Sequence, residues 1–96
     1  MIRNFADKAL ESFYYDGPGP QSRGIPADIR KALQRKLDQL NVARTLMDLR
    51  VPPANRLEAL KGDLSGMYSI RVNDQWRIIF RWINDEPRDV ALVDYH

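Results

Sequence analysis

The spacing of apolar positions changes once along the chain, near residue 55. Before it they recur at helical intervals; after it they alternate. Asp7 is suited to cap a helix that carries Ala9, Leu10, Phe13 and Tyr14. Pro26 and Asp28 mark a second start, because proline fits the first helical position and a carboxylate favours the positive end of the helix dipole. Ile29, Leu33, Leu37 and Leu40 then follow at spacings of four, four and three, which makes one apolar stripe. Arg30, Lys31, Gln34, Arg35 and Lys36 fill the opposite side, as solvated exterior or as a surface for RNA or an acidic partner. A further turn or two with Val42, Leu46 and Leu49 is expected, ended by Val51-Pro52-Pro53. Residues 16–24 alternate glycine and proline, so neither helix nor strand can propagate, and a mobile loop is expected. The first five residues alternate weakly, as a short edge strand would.

From residue 55 the pattern predicts a strand over 56–60 and a turn over 61–66. Strands over 67–72 and 76–83 form a hairpin, residues 84–87 turn, and 88–95 make the last strand. Helices followed by successive strands with short turns give an α+β fold: a small antiparallel sheet with N-terminal helices on one face. At 96 residues the chain is expected to be a single domain over 1–96.

The hairpin register decides what each face carries. With a two-residue loop, Val72 pairs with Gln75, and Tyr68, Ile70 and Val72 share a face with Arg77 and Arg81. With a loop through Gln75, Val72 pairs with Trp76. Then Tyr68, Ile70, Val72, Trp76, Ile78, Phe80 and Trp82 share one face, and Ser69, Arg71, Arg77, Ile79 and Arg81 the other. Each large apolar side chain left in water forgoes roughly 1.5–3 kcal/mol. Burial therefore selects the second register and leaves an arginine-bearing face.

Composition narrows the chemistry. There is no cysteine and one histidine, so disulfides, thiolate metal sites and histidine-rich metal sites are excluded. No tight carboxylate cluster suggests a hard cation, and no cofactor is expected. No apolar run approaches the roughly 20 residues of a membrane span, and the N-terminus does not read as a signal peptide. A cytoplasmic protein without membrane contact is expected. The net charge of +2 says little alone; its placement says more. Between residues 56 and 81, Arg56, Lys61, Arg71, Arg77 and Arg81 face only Glu58, Asp63 and Asp74.

Arginines on an open sheet can clamp a phosphodiester and stabilise the added charge of its transition state. Cross-strand pairing with carboxylates is the structural alternative, more so for Arg71 and Arg81 than for mid-strand Arg77. The chain closes on Asp94-Tyr95-His96. His96 can donate a proton to a leaving 5′ oxygen near neutral pH, unless it is a frayed terminal residue. Tyr95 can stack on a base or stabilise charge. Asp94 can orient the histidine or act as a base. In an extended strand Asp94 and His96 face one way and Tyr95 the other, so all three meet one substrate only if the tail bends.

Three segments carry a resemblance: 55–62 (Asn-Arg-Leu-Glu-Ala-Leu-Lys-Gly), 68–80 (Tyr-Ser-Ile-Arg-Val-Asn-Asp-Gln-Trp-Arg-Ile-Ile-Phe) and the terminal Val-Asp-Tyr-His. Together with the opening Met-Ile-Arg-Asn-Phe and the length, they resemble HigB-type toxins of the RelE superfamily, the plasmid-maintenance killer proteins. The resemblance implies a RelE-like fold and the toxin half of a type II toxin–antitoxin pair. It implies a metal-independent endoribonuclease that cuts mRNA in the ribosomal A site by 2′-hydroxyl attack, leaving a 2′,3′-cyclic phosphate and a 5′-hydroxyl. The implied partner is a HigA-type helix-turn-helix antitoxin, with operator DNA bound only through the complex. Arg77 matches the family's phosphate-contacting arginine, Lys61 a basic residue after the second strand, and Asp94, Tyr95 and His96 the terminal active-site group. Arg56, Arg71 and Arg81 are the further candidate RNA contacts. Some members have a histidine where this chain has Glu58 and an arginine where it has Asn73; Glu58 then stands as candidate base. A weakly catalytic or non-catalytic regulator that binds antitoxin and ribosome, and a plain basic RNA-binding module, are the alternative readings.

Overall fold

Asp7 caps the first helix, its carboxylate accepting the Leu10 amide at 3.1 Å. This helix, α1, spans Lys8–Asp16 and buries Leu10 and Phe13. The protein is represented by a computed structural model that describes residues 1–94. The glycine–proline segment that follows, expected as a loop, holds a 3-10 turn at Pro20–Ser22. Ser22 is buried there, and its hydroxyl accepts from the Gly19 amide at 3.0 Å. Pro26 precedes a second 3-10 turn, Ala27–Ile29, which leads into α2 at Arg30–Val42. The stripe expected from the sequence is the buried one: Ile29, Leu33, Leu37 and Leu40 are all at most 2% exposed.

After α2 the chain tightens into a 3-10 turn at Leu46–Arg50 rather than continuing as helix. The turn over Pro53–Asn55 ends at Arg56, whose φ of 46° is left-handed. That conformation is why the strand expected over 56–60 shrinks to β1, Glu58–Ala59. Strands β2 (Met67–Arg71), β3 (Trp76–Ile83) and β4 (Glu86–Asp94) complete a four-stranded antiparallel sheet in the order β1-β2-β3-β4.

The β2/β3 register pairs Tyr68 with Phe80 and Ile70 with Ile78. The Val72 and Asn73 amides both donate to the Trp76 carbonyl, so the loop is the three-residue, bulged form that burial selects. The next turn is tighter than expected. Only Asn84 and Asp85 form it, both at positive φ (54° and 60°), and Glu86 already pairs with Ile83. Positive φ at both central residues is the type I′ pattern that matches strand twist.

In β4 the register slips by one between the Ile79 and Arg81 pairs, which places a bulge at Asp89 and Val90. Asp89 takes a φ of 52° there. The N-terminal segment docks on this bulge instead of forming a full edge strand. Phe5 bridges Val90 in parallel, and Asn4 and Asp89 exchange two hydrogen bonds at 2.8 and 3.2 Å. The bulge interrupts the regular edge a longer ladder would need.

One face of the sheet, with Ile70, Val72, Ile78, Phe80 and Val90, joins Leu10, Phe13, Leu33, Leu37 and Leu40 in a single core. Burying each of these contributes roughly 1.5–3 kcal/mol. The other face carries Ser69, Arg71, Arg77 and Arg81, with the Pro53–Asn55 turn against β2.

Candidate functional site

Arg77 organises the arginine-bearing face. It is 7% exposed, an unusual burial for a guanidinium, which must be hydrogen-bonded to be tolerated there. Its Nε donates to Ser69 Oγ at 2.9 Å, its Nη2 to the Arg56 carbonyl at 2.6 Å, and its Nη1 lies 3.4 Å from Glu58 Oε1. Three elements thus contribute. β2 supplies the hydroxyl, the left-handed residue after the Pro53–Asn55 turn supplies the carbonyl, and β1 supplies the carboxylate through its Glu58–Ser69 pairing.

A cleft of about 270 Å³ opens beside this guanidinium, lined by Arg56, Arg71, Asn73, Asp74 and Arg77. Three arginines against one lining aspartate leave this small concavity net positive. Arg71 pairs with Asp74 across the hairpin loop. Asn73 shapes that loop: its Oδ1 accepts the amides of Gln75 and Trp76, both at 2.8 Å. The side-chain amide Nδ2 of Asn73 is its remaining donor.

The sequence-derived candidates separate into groups. Arg56, Arg71, Arg77 and Glu58 meet at or beside the cleft. Arg81 does not: four residues along β3 from Arg77, about 13 Å at strand rise, it lies 3.5 Å from Asp89. Lys61 is exposed, at the start of the Gly62–Leu64 turn, and is absent from the cleft lining. Asp94 pairs with Trp76 in the β3/β4 register, so it falls on the opposite face from Arg77, and it accepts from Gln75 Nε2 at 3.1 Å. Tyr95 and His96 lie outside the described residues. Among the described residues no group of three or more His, Cys, Asp or Glu is placed to hold a metal ion.

Two residues at the site, Ser69, which seats Arg77, and Asp74, which lines the cleft, were not singled out from the sequence. Ser69 appears there only as a polar residue on the arginine face. Asp74 looks like an ordinary turn residue, and Asn73 is marked only as standing where some family members have an arginine. The signal that exposes Ser69 is its register relative to Arg77, a small hydroxyl on the same face of the adjacent strand. Nothing in the sequence marks the Arg56 carbonyl, because a backbone acceptor has no residue signature.

Comparison with known proteins places this architecture. The family model described as the RelE-like toxin of type II toxin–antitoxin system HigB matches residues 3–96. Toxin HigB-1 of Vibrio cholerae is 50% identical over 95 residues, which covers 99% of this chain and 94% of that protein. Endoribonuclease HigB of Proteus vulgaris is 31% identical over 96 residues, the whole of both chains. Among solved structures, the YoeB–YefM complex from Staphylococcus aureus superposes with a TM-score of 0.61 at 20% identity, covering 100% of this chain and 98% of that one. That likeness establishes the fold.

Proposed function

The chain belongs to the HigB family of RelE-like toxins of type II toxin–antitoxin systems, and from that premise we propose that it is an endoribonuclease that cuts mRNA on the ribosome. The observation that carries the reading is the Arg77 guanidinium. It is seated by Ser69, the Arg56 carbonyl and Glu58 in a cleft it shares with Arg71 and Arg56. A fixed, largely desolvated cation stabilises charge that grows on a phosphate without reorganising at the moment of reaction. The name of the Proteus vulgaris relative, an endoribonuclease, supports the same reading.

In the proposed reaction a base takes the proton of the ribose 2′-hydroxyl. The 2′ oxygen bonds to the adjacent phosphorus, and the bond from phosphorus to the 5′ oxygen breaks as an acid protonates it. The products are a 2′,3′-cyclic phosphate and a 5′-hydroxyl. Arg77 and Arg71 hold the phosphate oxygens, with positive charge from side chains rather than from a metal ion. Glu58, 3.4 Å from Arg77 Nη1, is the candidate base. Tyr95 and His96 are the candidate groups for proton delivery, and Asp94, on the opposite face from Arg77, is the candidate to orient His96. Arg56 reaches RNA from the cleft rim, with Arg81 and Lys61 as outlying backbone contacts. We further propose a HigA-type antitoxin as partner, with operator DNA bound only by the complex, and a cytoplasmic site of action. The solved relatives of this fold are themselves toxin–antitoxin complexes.

The test is controlled expression in bacteria of wild type, Arg77→Ala and a form ending at Tyr95, scoring growth and mapping mRNA 5′ ends. Wild type is expected to arrest growth and leave discrete 5′-hydroxyl ends, and both variants to lose cutting. Slowed growth with intact transcripts overturns the nuclease reading and favours a non-catalytic regulator.

A further inference from the structure

Behind the cleft sits a polar cluster that the chemistry above does not use. Asn55 is fully buried, yet every polar atom of its amide is engaged. Its Oδ1 accepts Lys36 Nζ at 2.5 Å, and its Nδ2 donates to Gln39 Oε1 and to the Leu49 carbonyl, both at 3.1 Å. Lys36 and Gln39 stand three residues apart on α2, so one helix face grips the amide from two sides. The residue that follows Asn55 is Arg56, held left-handed at φ 46° and ψ 54°, and its carbonyl receives Arg77 Nη2.

We infer that Asn55, clamped by Lys36 and Gln39, is the positioning residue for Arg77. It holds the left-handed backbone of Arg56 that aims the carbonyl at the guanidinium. This rests on the reading of Arg77 as the phosphate grip. The argument is one of strain. A left-handed arginine persists only where its surroundings over-determine it. On the far side of Arg56 the surroundings are Asn55, anchored to α2 and to the Leu46–Arg50 turn. Release of that anchor lets Arg56 relax toward ordinary backbone, which turns its peptide plane and withdraws the carbonyl from Nη2.

The choice of lysine fits. A half-buried cation makes a charge-assisted bond to a neutral amide oxygen, and this polarises the amide so that its Nδ2 donates more strongly. Among the described residues no carboxylate forms an ion pair with Lys36. Burial, together with the neighbouring Arg35, pushes the Lys36 pKa down.

The experiment follows the Arg77 Nε–Hε signal by ¹⁵N NMR in the full-length protein, identified by its loss in Arg77→Lys. Cleavage of a synthetic mRNA bound to ribosomes is measured in parallel. Lys36→Met, Gln39→Ala and Asn55→Asp are expected to shift or broaden the signal. They are also expected to lower the cleavage rate at saturating RNA about tenfold while KM stays within twofold, and Lys36→Arg to restore both. The two milder α2 variants serve if the Asn55 variant does not fold. Folded variants with an unmoved Arg77 signal overturn the inference, even if their melting temperatures fall. If wild type cuts no RNA, the function reading fails while the NMR arm still decides whether this cluster seats Arg77.

Discussion

Arg77 Nε and Ser69 Oγ lie 2.9 Å apart, and both residues are buried on the sheet face opposite Ile70, Ile78 and Phe80. Ser69 is fully buried, so its hydroxyl is not there to meet water. It holds the guanidinium in one plane and leaves the remaining N–H groups to the Arg56 carbonyl, Glu58 and the cleft. Ser69→Ala withdraws that acceptor from a buried charged donor. A hydrogen bond to a charged group is worth about 1.5–3 kcal/mol, and a loss of that size is expected in urea denaturation. Cleavage should fall with it, and Ser69→Thr should recover part of both.

Glu58 is half-exposed, so its ion pair with Arg77 adds little to stability. Glu58→Gln is expected to change unfolding free energy by less than about 1 kcal/mol. As the candidate base, its loss should lower cleavage by about 10²-fold or more. A variant that cuts at the wild-type rate places the base at the chain terminus instead.

Asp48 gives a pH dependence separate from the cleft. Its Oδ2 accepts the amides of Thr45 and Arg44 at 3.0 and 2.9 Å, and these backbone bonds hold its pKa below the ordinary aspartate value. A carboxyl with a depressed folded pKa contributes its stability in full above the unfolded value. It loses that contribution as pH falls through the folded one. Wild type should therefore be more stable than Asp48→Ala at neutral pH, with the gap narrowing as the solution is acidified below the aspartate range. Urea midpoints measured over a pH series read this directly; a gap that widens on acidification contradicts it.

Leu37 is fully buried in the α2 stripe against the sheet core. Leu37→Ala should cost about 2–5 kcal/mol through lost burial and the cavity left behind. For a domain this small that is a large share of the total stability, visible as a lower melting temperature. Substitution of exposed Val42 on the same helix should have almost no effect.

Asp85 holds a φ of 60° at the second central position of the β3/β4 turn. Glycine adopts that conformation without the steric cost of a side chain. Asp85→Gly is expected to stabilise the protein by up to about 1 kcal/mol, detectable by calorimetry, with cleavage unchanged because the turn lies at the far end of β3 from Arg77.

The elements legible in the sequence were those set by side-chain periodicity. The stripe Ile29, Leu33, Leu37 and Leu40 has only one buried arrangement on a helix, and it is the one observed. The three-residue loop followed from burial, since a one-residue slip puts Ile70 and Ile78 on opposite faces and leaves one strand's apolar set in water. The placement of Arg71 and Arg77 on the face away from the helices came with it. Elements that depend on backbone dihedrals or long-range contacts were not legible. Arg56 reads as the first residue of a strand, yet packing behind it holds it left-handed and cuts β1 to two residues. The opening residues read as an edge strand, but the bulge at Asp89 leaves room only for a bridge. Arg81 and Arg77 share one face in the sequence reading and differ there only in position along the strand; the pairing of Arg81 with Asp89 and the length of β3 separate them. Hydrophobic period is a local property that one strand or helix must satisfy alone. The seat of Arg77 draws on β1, β2 and the Pro53–Asn55 turn together, through a backbone carbonyl that any residue could have supplied. Tertiary structure alone decided it.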